Sequence, residues 1–110
     1  FLPLRPVEFD VLLSLAAGER HGYGIIQDSE ERGITSVPDV GTLYRALARM
    51  QEQGLIGEAA QREAPESGNE LRHYYKLTPL GLRVAQAEAR RMAALTRAAR
   101  ATGLLKPATS

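Results

Sequence analysis

A chain of 110 residues, 44% hydrophobic and 25% charged, has the profile of one globular domain with room for one appended element. The absence of cysteine excludes disulfides, thiolate zinc sites and cysteine nucleophiles together; no apolar run approaches the roughly 18 residues of a membrane span, no signal-peptide pattern opens the chain, and a cytoplasmic protein is expected. Net charge is +1 but divides unevenly, with eight Lys/Arg against twelve Asp/Glu in residues 1–79 and six against one in residues 80–110, so contact with nucleic acid must rest on locally placed arginines.

Pro6 suits a first helical turn, where its missing N–H would be unpaired anyway. Val7, Val11, Leu12, Leu15 and Ala16 then recur at helical spacing, and Gly18 ends a first helix over 6–17. Glu19 to Gly22 reads as a turn. A second helix runs from Tyr23 to Arg32, with Tyr23, Ile25, Ile26 and Ser29 on one face and Gln27, Asp28, Glu30 and Glu31 on the other; Gly33 fits its C′ position. Asp39 is a good N-cap for a third helix from about Val40 to Gln53. Its apolar stripe is Val40, Leu43, Leu47 and Met50, with Ala46 beside it.

Leu55 to Ala60 is a short strand, Gln61 to Leu71 a long hairpin tip with Pro65 and Gly68-Asn69, and His73 to Leu77 an aromatic-rich second strand. Thr78-Pro79 starts a fourth helix that runs to Thr102, about 35 Å long, where Gly103 stops it. Leu104 to Ser110 is expected to be a flexible tail. The order predicts a mainly α protein: a winged helix-turn-helix over 5–78, three helices plus a two-stranded wing, followed by a long C-terminal helix over 79–103.

The third helix is the element that can read DNA. Thr42, Arg45 and Arg49 are spaced to share its open face, with Tyr44 at the edge. A helix fits the major groove, arginine can bond two acceptors of a guanine, and hydroxyls can bond phosphate or a base edge. Gly41, near the helix start, would let backbone N–H groups approach a phosphate. The fourth helix carries an alanine-rich stripe of Leu82, Ala85, Ala89, Met92, Thr96 and Ala99, flanked by Leu95, and a stripe of that length predicts burial against a second copy. The partner's first helix is the expected second surface. A two-fold dimer would place two reading helices roughly 34 Å apart on a near-palindromic operator in double-stranded DNA.

His21 and His73 are the only histidines. They lie on different elements without ligand spacing and read as solvated loop residues, so no metal site is expected. Gly22-x-Gly24 follows a turn and is not a nucleotide loop. No Ser-His-Asp set can be argued, and neither catalysis nor a cofactor is expected.

Three stretches resemble PadR-type regulators: His21-Gly22-Tyr23-Gly24-Ile25-Ile26; Gly41-Thr42-Leu43-Tyr44-Arg45-Ala46-Leu47-Ala48-Arg49-Met50 with Glu52-Gln53-Gly54-Leu55-Ile56; and Tyr74-Tyr75-Lys76-Leu77-Thr78-Pro79-Leu80-Gly81. The resemblance covers roughly residues 5–81. It implies a homodimeric, usually repressing transcription factor with a C-terminal dimerisation helix, and DNA contact by Thr42, Tyr44, Arg45, Arg49 and the wing. In the wing only Arg62 and Arg72 can serve, against three glutamates. The family also implies that some members answer to small-molecule effectors; here a pocket would lie near Phe9, Met92 and Leu95. The single final helix marks the short type. The competing expectation is a winged helix that binds only protein, which the net negative charge of residues 1–79 favours.

Overall fold

A computed structural model describes residues 1–33, 39–59, 62–63 and 71–107. Helix α1 (Pro6–Ala16) opens from an extended Arg5 whose N–H is accepted by Glu8 at 2.9 Å. Helix α2 (Gly22–Arg32) stops at Gly33, where a φ of 62° turns the chain and the N–H returns to the Ser29 carbonyl. Helix α3 (Val40–Glu52) buries Leu43, Ala46, Leu47 and Met50. These meet Val11, Leu12 and Leu15 of α1 and Ile25 of α2 in one core, closed by Leu55, Ile56 and Tyr75. Each large aliphatic side chain withdrawn from water there contributes about 1.5–3 kcal/mol.

Three short strands cap the core. β1 (Arg20–His21) and β2 (Ile56–Glu58) flank β5 (Tyr74–Leu77) in an antiparallel sheet ordered β1-β5-β2. Arg20 pairs with Tyr75 and His21 with Tyr74 on one side, Ile56 with Leu77 and Glu58 with Tyr75 on the other. Farther out, β3 (Arg62–Glu63) pairs with β4 (Leu71–Arg72). The segment expected as a turn from Glu19 to Gly22 therefore contains a strand. Two residues are too few to show alternation, and it is the open edge of β5 that makes them one.

Helix α4 (Pro79–Ala101) begins with Pro at its first position and Thr78 as cap. The Thr78 hydroxyl accepts the Gly81 N–H at 3.0 Å and donates to the Gly54 carbonyl at 2.5 Å, joining the end of α3 to the start of α4. Gly81, Val84 and Glu88 are buried against the domain, and Ala85 packs on the core from its edge. Glu88 is the last residue of the helix that is buried, and the molecule measures 55 × 26 × 26 Å. At its end Gly103, φ 85°, lets the N–H groups of Leu104 and Leu105 return to the Ala99 carbonyl at 2.8 and 3.3 Å. The expected tail thus starts with a helix cap; residues 108–110 lie outside the described residues.

Three expected inward positions point elsewhere. Val40 is 60% exposed because it sits in the first turn of α3, before the helix meets the core. Tyr23 is 51% exposed and stacks beside His21. Ala16, in the last turn of α1, is exposed.

Buried polar groups complete the domain, since a polar group taken from water must be paired. Between α1 and α2, Asp28 accepts the Ser14 hydroxyl at 2.8 Å and is ion-paired with Arg32 and, at 3.4 Å, with Arg20. Arg32 also reaches Asp10 at 3.3 Å. Burial by itself would raise the Asp28 carboxyl, but the Ser14 hydroxyl and the two guanidinium groups outweigh it and hold the group below its ordinary value. Asp28 reads in sequence as an outer-face residue; its partners, four to fourteen positions away, draw it inward.

Glu88 of α4 has none of its surface exposed. Its carboxylate accepts the Leu4 N–H at 2.8 Å and two bonds from Arg91 at 2.5 and 3.2 Å. The Arg91 hydrogen bonds overcome burial, and with the Leu4 N–H they hold the carboxyl below its ordinary value of 4.5. A carboxyl with a depressed folded-state value adds stability above its unfolded value and loses it as pH falls through the folded one. Glu88→Gln is therefore expected to be less stable than the parent at neutral pH and to show a flatter loss of stability below about pH 4.5. Urea unfolding followed across an acid series measures both; parallel curves would show that Glu88 does not drive the acid response.

Candidate nucleic-acid interface

The head of α3 is a small polar device. Asp39 Oδ1 accepts the Thr42 N–H at 2.8 Å, the expected cap, and Oδ2 accepts the Thr42 hydroxyl at 2.9 Å. The same hydroxyl oxygen accepts from Arg45 Nη2 at 3.2 Å. The Thr42 N–H, the Thr42 hydroxyl and the nearby Arg45 charge hold the Asp39 carboxyl below its ordinary value. Gly41 leaves room for this: a Cβ there would lie 3.1 Å from Arg45 Nη1 and 3.4 Å from Asp39 Oδ1. The phosphate contact expected at Gly41 meets a carboxylate already seated on the first turn.

Along the outer face, Arg45 is exposed and Tyr44 is 46% exposed. The Tyr44 ring end lies over Gly22 at the start of α2, where a Cβ would collide with its hydroxyl and Cζ. The tightness of that contact explains why no side chain stands at position 22. His21 is not the solvated residue expected. It caps α2 by accepting the Gly24 N–H at 3.0 Å and meets Tyr74 edge-on at 5.2 Å between centroids. His73 is exposed and sits 3.3 Å from the Glu58 carboxylate.

Thr42 and Arg45 are thus joined at the head of α3, while Tyr44 reaches from the same helix toward Gly22 of α2. Arg49 is not with them. It is half-buried, and its guanidinium lies 3.8 Å from Glu8 of α1. That ion pair spans 41 positions of sequence and has no local signal. Of the wing residues, Arg62 and Arg72 are Cα partners across β3–β4; their side chains and the tip 64–70 lie outside the described residues.

The stripe expected along α4 is divided. Ala85 faces its own core, Leu82 and Ala89 are exposed, Met92 and Ala99 are half-buried, and Leu95 is 57% exposed. Against the chain's own domain the buried phase runs through Gly81, Val84 and Glu88. Met92 joins Leu4, Pro6, Phe9, Asp10, Leu13 and Arg32 around an apolar hollow of about 340 Å³ between α1 and α4. Leu95 is not among its lining residues. Among the described residues, no three His, Asp or Glu gather as a metal site, and no helix is long and apolar enough to cross a membrane.

The sequence pattern of the transcriptional regulator PadR-like family matches residues 11–87. In structure, the chain is similar to a PadR family transcription regulator from Clostridium difficile, with a TM-score of 0.74 at 24% identity over 87% of this chain and 96% of that one. It is similar to a transcriptional regulator from Clostridium thermocellum, with a TM-score of 0.69 at 25% identity over 90% and 93%. The Bacillus subtilis PadR, solved in complex with operator DNA, gives a TM-score of 0.66 at 22% identity over 77% of this chain and 47% of that chain. No curated protein matches.

Proposed function

The chain belongs to the PadR-like family of transcriptional regulators, and from that premise we propose that it is a sequence-specific repressor, binding a near-palindromic operator in duplex DNA as a homodimer in the cytoplasm. The observation that carries this reading is α3. One of its faces is wholly buried in the core, while the other presents Tyr44 and Arg45 outward from a capped helix head. A helix so mounted can enter a major groove with its N-terminal half foremost. The fold it shares with the Bacillus subtilis PadR, which was solved with operator DNA, supports the same use.

The homodimer is supported by the far half of α4. Leu95 is exposed there and Leu104 and Leu105 just beyond its end, alongside Arg97, Arg100 and Lys106 and no acid beyond Glu88. Such a surface suits the acidic domain of a second copy, whose hollow beside Phe9 and Met92 offers apolar cover. We assign no catalytic role.

The test is selection of duplexes from a random pool at two salt concentrations, with Arg45→Ala run beside the parent. The parent is expected to enrich an inverted repeat with a steep salt dependence, its half-sites roughly 34 Å apart. Arg45→Ala is expected to relax preference at one position per half-site by about 1–3 kcal/mol. An even loss over all sequences would make Arg45 a phosphate contact. Enrichment of nothing at either salt would instead favour a winged helix that binds protein, as the acidic balance of residues 1–79 would suit.

A further inference from the structure

We infer that Asp39 determines specificity: it aims Arg45 through Thr42 and keeps a negative charge at the head of the reading helix that turns phosphate away. The inference rests on the DNA-reading role of α3 and deepens it by naming the target, a G·C pair addressed by a pre-set Arg45.

The direction of the hydrogen bonds carries the first half. Thr42 has one hydroxyl proton, and Asp39 Oδ2 at 2.9 Å takes it, because an ionised carboxylate can only accept. The oxygen lone pairs are thereby left to Arg45 Nη2 at 3.2 Å. The carboxylate thus orients the hydroxyl, and the hydroxyl holds the guanidinium. Gly41 keeps clear the space into which Arg45 Nη1 folds, since a Cβ would stand 3.1 Å from it. A guanidinium has five donors in a fixed fork, so one bond to Thr42 sets the plane and leaves the others for the two acceptors of a guanine edge. A floppy arginine would have to lose its rotamer freedom on binding.

Charge carries the second half. A helix N-terminus ordinarily favours phosphate, but here Asp39 already occupies the Thr42 N–H and adds a full negative charge. Residues 1–79 carry four more acids than bases. Backbone attraction, which is blind to sequence, is thereby weakened at α3, and base-edge bonds from Arg45 supply a larger share of the discrimination.

Binding is measured by fluorescence anisotropy on the operator recovered from the pool and on a scrambled duplex, over a salt series. Asp39→Asn keeps a capping oxygen and removes the charge. It is expected to bind the scrambled duplex roughly threefold tighter or more, while the ratio of operator to scrambled affinity falls about tenfold. Thr42→Val should lower the ratio without tightening scrambled binding, and Thr42→Ser should restore it. If the parent discriminates and Asp39→Asn discriminates equally, with unchanged scrambled affinity, Asp39 is only a helix cap and the inference is overturned. A parent that enriches no sequence at all would instead sink the DNA reading itself.

Discussion

Gly81→Ala is expected to lower the unfolding free energy by about 2–3 kcal/mol. Overpacking typically costs about 1–3 kcal/mol, and replacing a helical glycine by alanine returns up to about 1 kcal/mol. The upper end of the cost applies because the obstacle is backbone. A Cβ at position 81 would run into the Leu55 carbonyl oxygen, with the carbonyl carbon at 2.9 Å and the Cα at 3.4 Å. Leu55 cannot give way easily. Its N–H bonds to the Met50 carbonyl at 3.0 Å, and its own carbonyl accepts the Thr78 N–H at 3.2 Å. Relief therefore requires the first turn of α4 to lift, which opens the contacts of Val84 and Ala85 with the core. Gly57→Ala is the control, since among the described residues a Cβ there meets the Thr78 methyl at an ordinary 3.9 Å and nothing nearer. Urea midpoints for the two variants decide the matter: if Gly81→Ala unfolds at the parent's midpoint, α4 does not lie that close.

Leu95→Glu is expected to convert the proposed dimer to a monomer and to weaken operator binding by about 10²–10⁴, the range that linked second binding events contribute. Leu95 is 57% exposed and lies outside the buried phase of α4 through Gly81, Val84 and Glu88, so the substitution leaves the chain's own core intact. In a dimer it would bury an unpaired carboxylate, which is strongly unfavourable. Sedimentation gives the oligomeric state, and anisotropy on operator duplex gives the affinity. Binding at the parent's strength by a variant that remains dimeric would place the dimer contact elsewhere.

Much of this architecture is written in local pattern. The stripe Leu43, Leu47 and Met50 announces α3, Asp39 and Thr78 announce two helix starts, and Gly33 and Gly103 mark two ends. What escapes local pattern is contact between distant polar residues. Arg49 is diverted by Glu8, and neither residue's neighbourhood foretells it. Glu88 breaks the rule that charge lies outward, because its partners are a backbone N–H 84 positions away and an arginine one turn on. That inversion also hid which phase of α4 covers its own domain: among so many alanines, Gly81 and Val84 gave no stronger apolar signal than the Leu82–Ala89 stripe. The exposed face of α3 was legible in Tyr44 and Arg45. The bond directions that organise it were not, since spacing shows which residues can meet but not which atom gives the proton.

Thr78 bonds to the Gly54 carbonyl behind α3 and to the Gly81 N–H at the start of α4, so one hydroxyl acts as the elbow of a long lever. A tilt of about 5° at that elbow displaces the far end of a helix roughly 35 Å long by about 3 Å. That is close to the roughly 3.4 Å rise between successive base pairs. If α4 joins two copies, the angle fixed at this elbow and along the Gly81, Val84 and Glu88 contacts sets how far apart the two α3 helices stand.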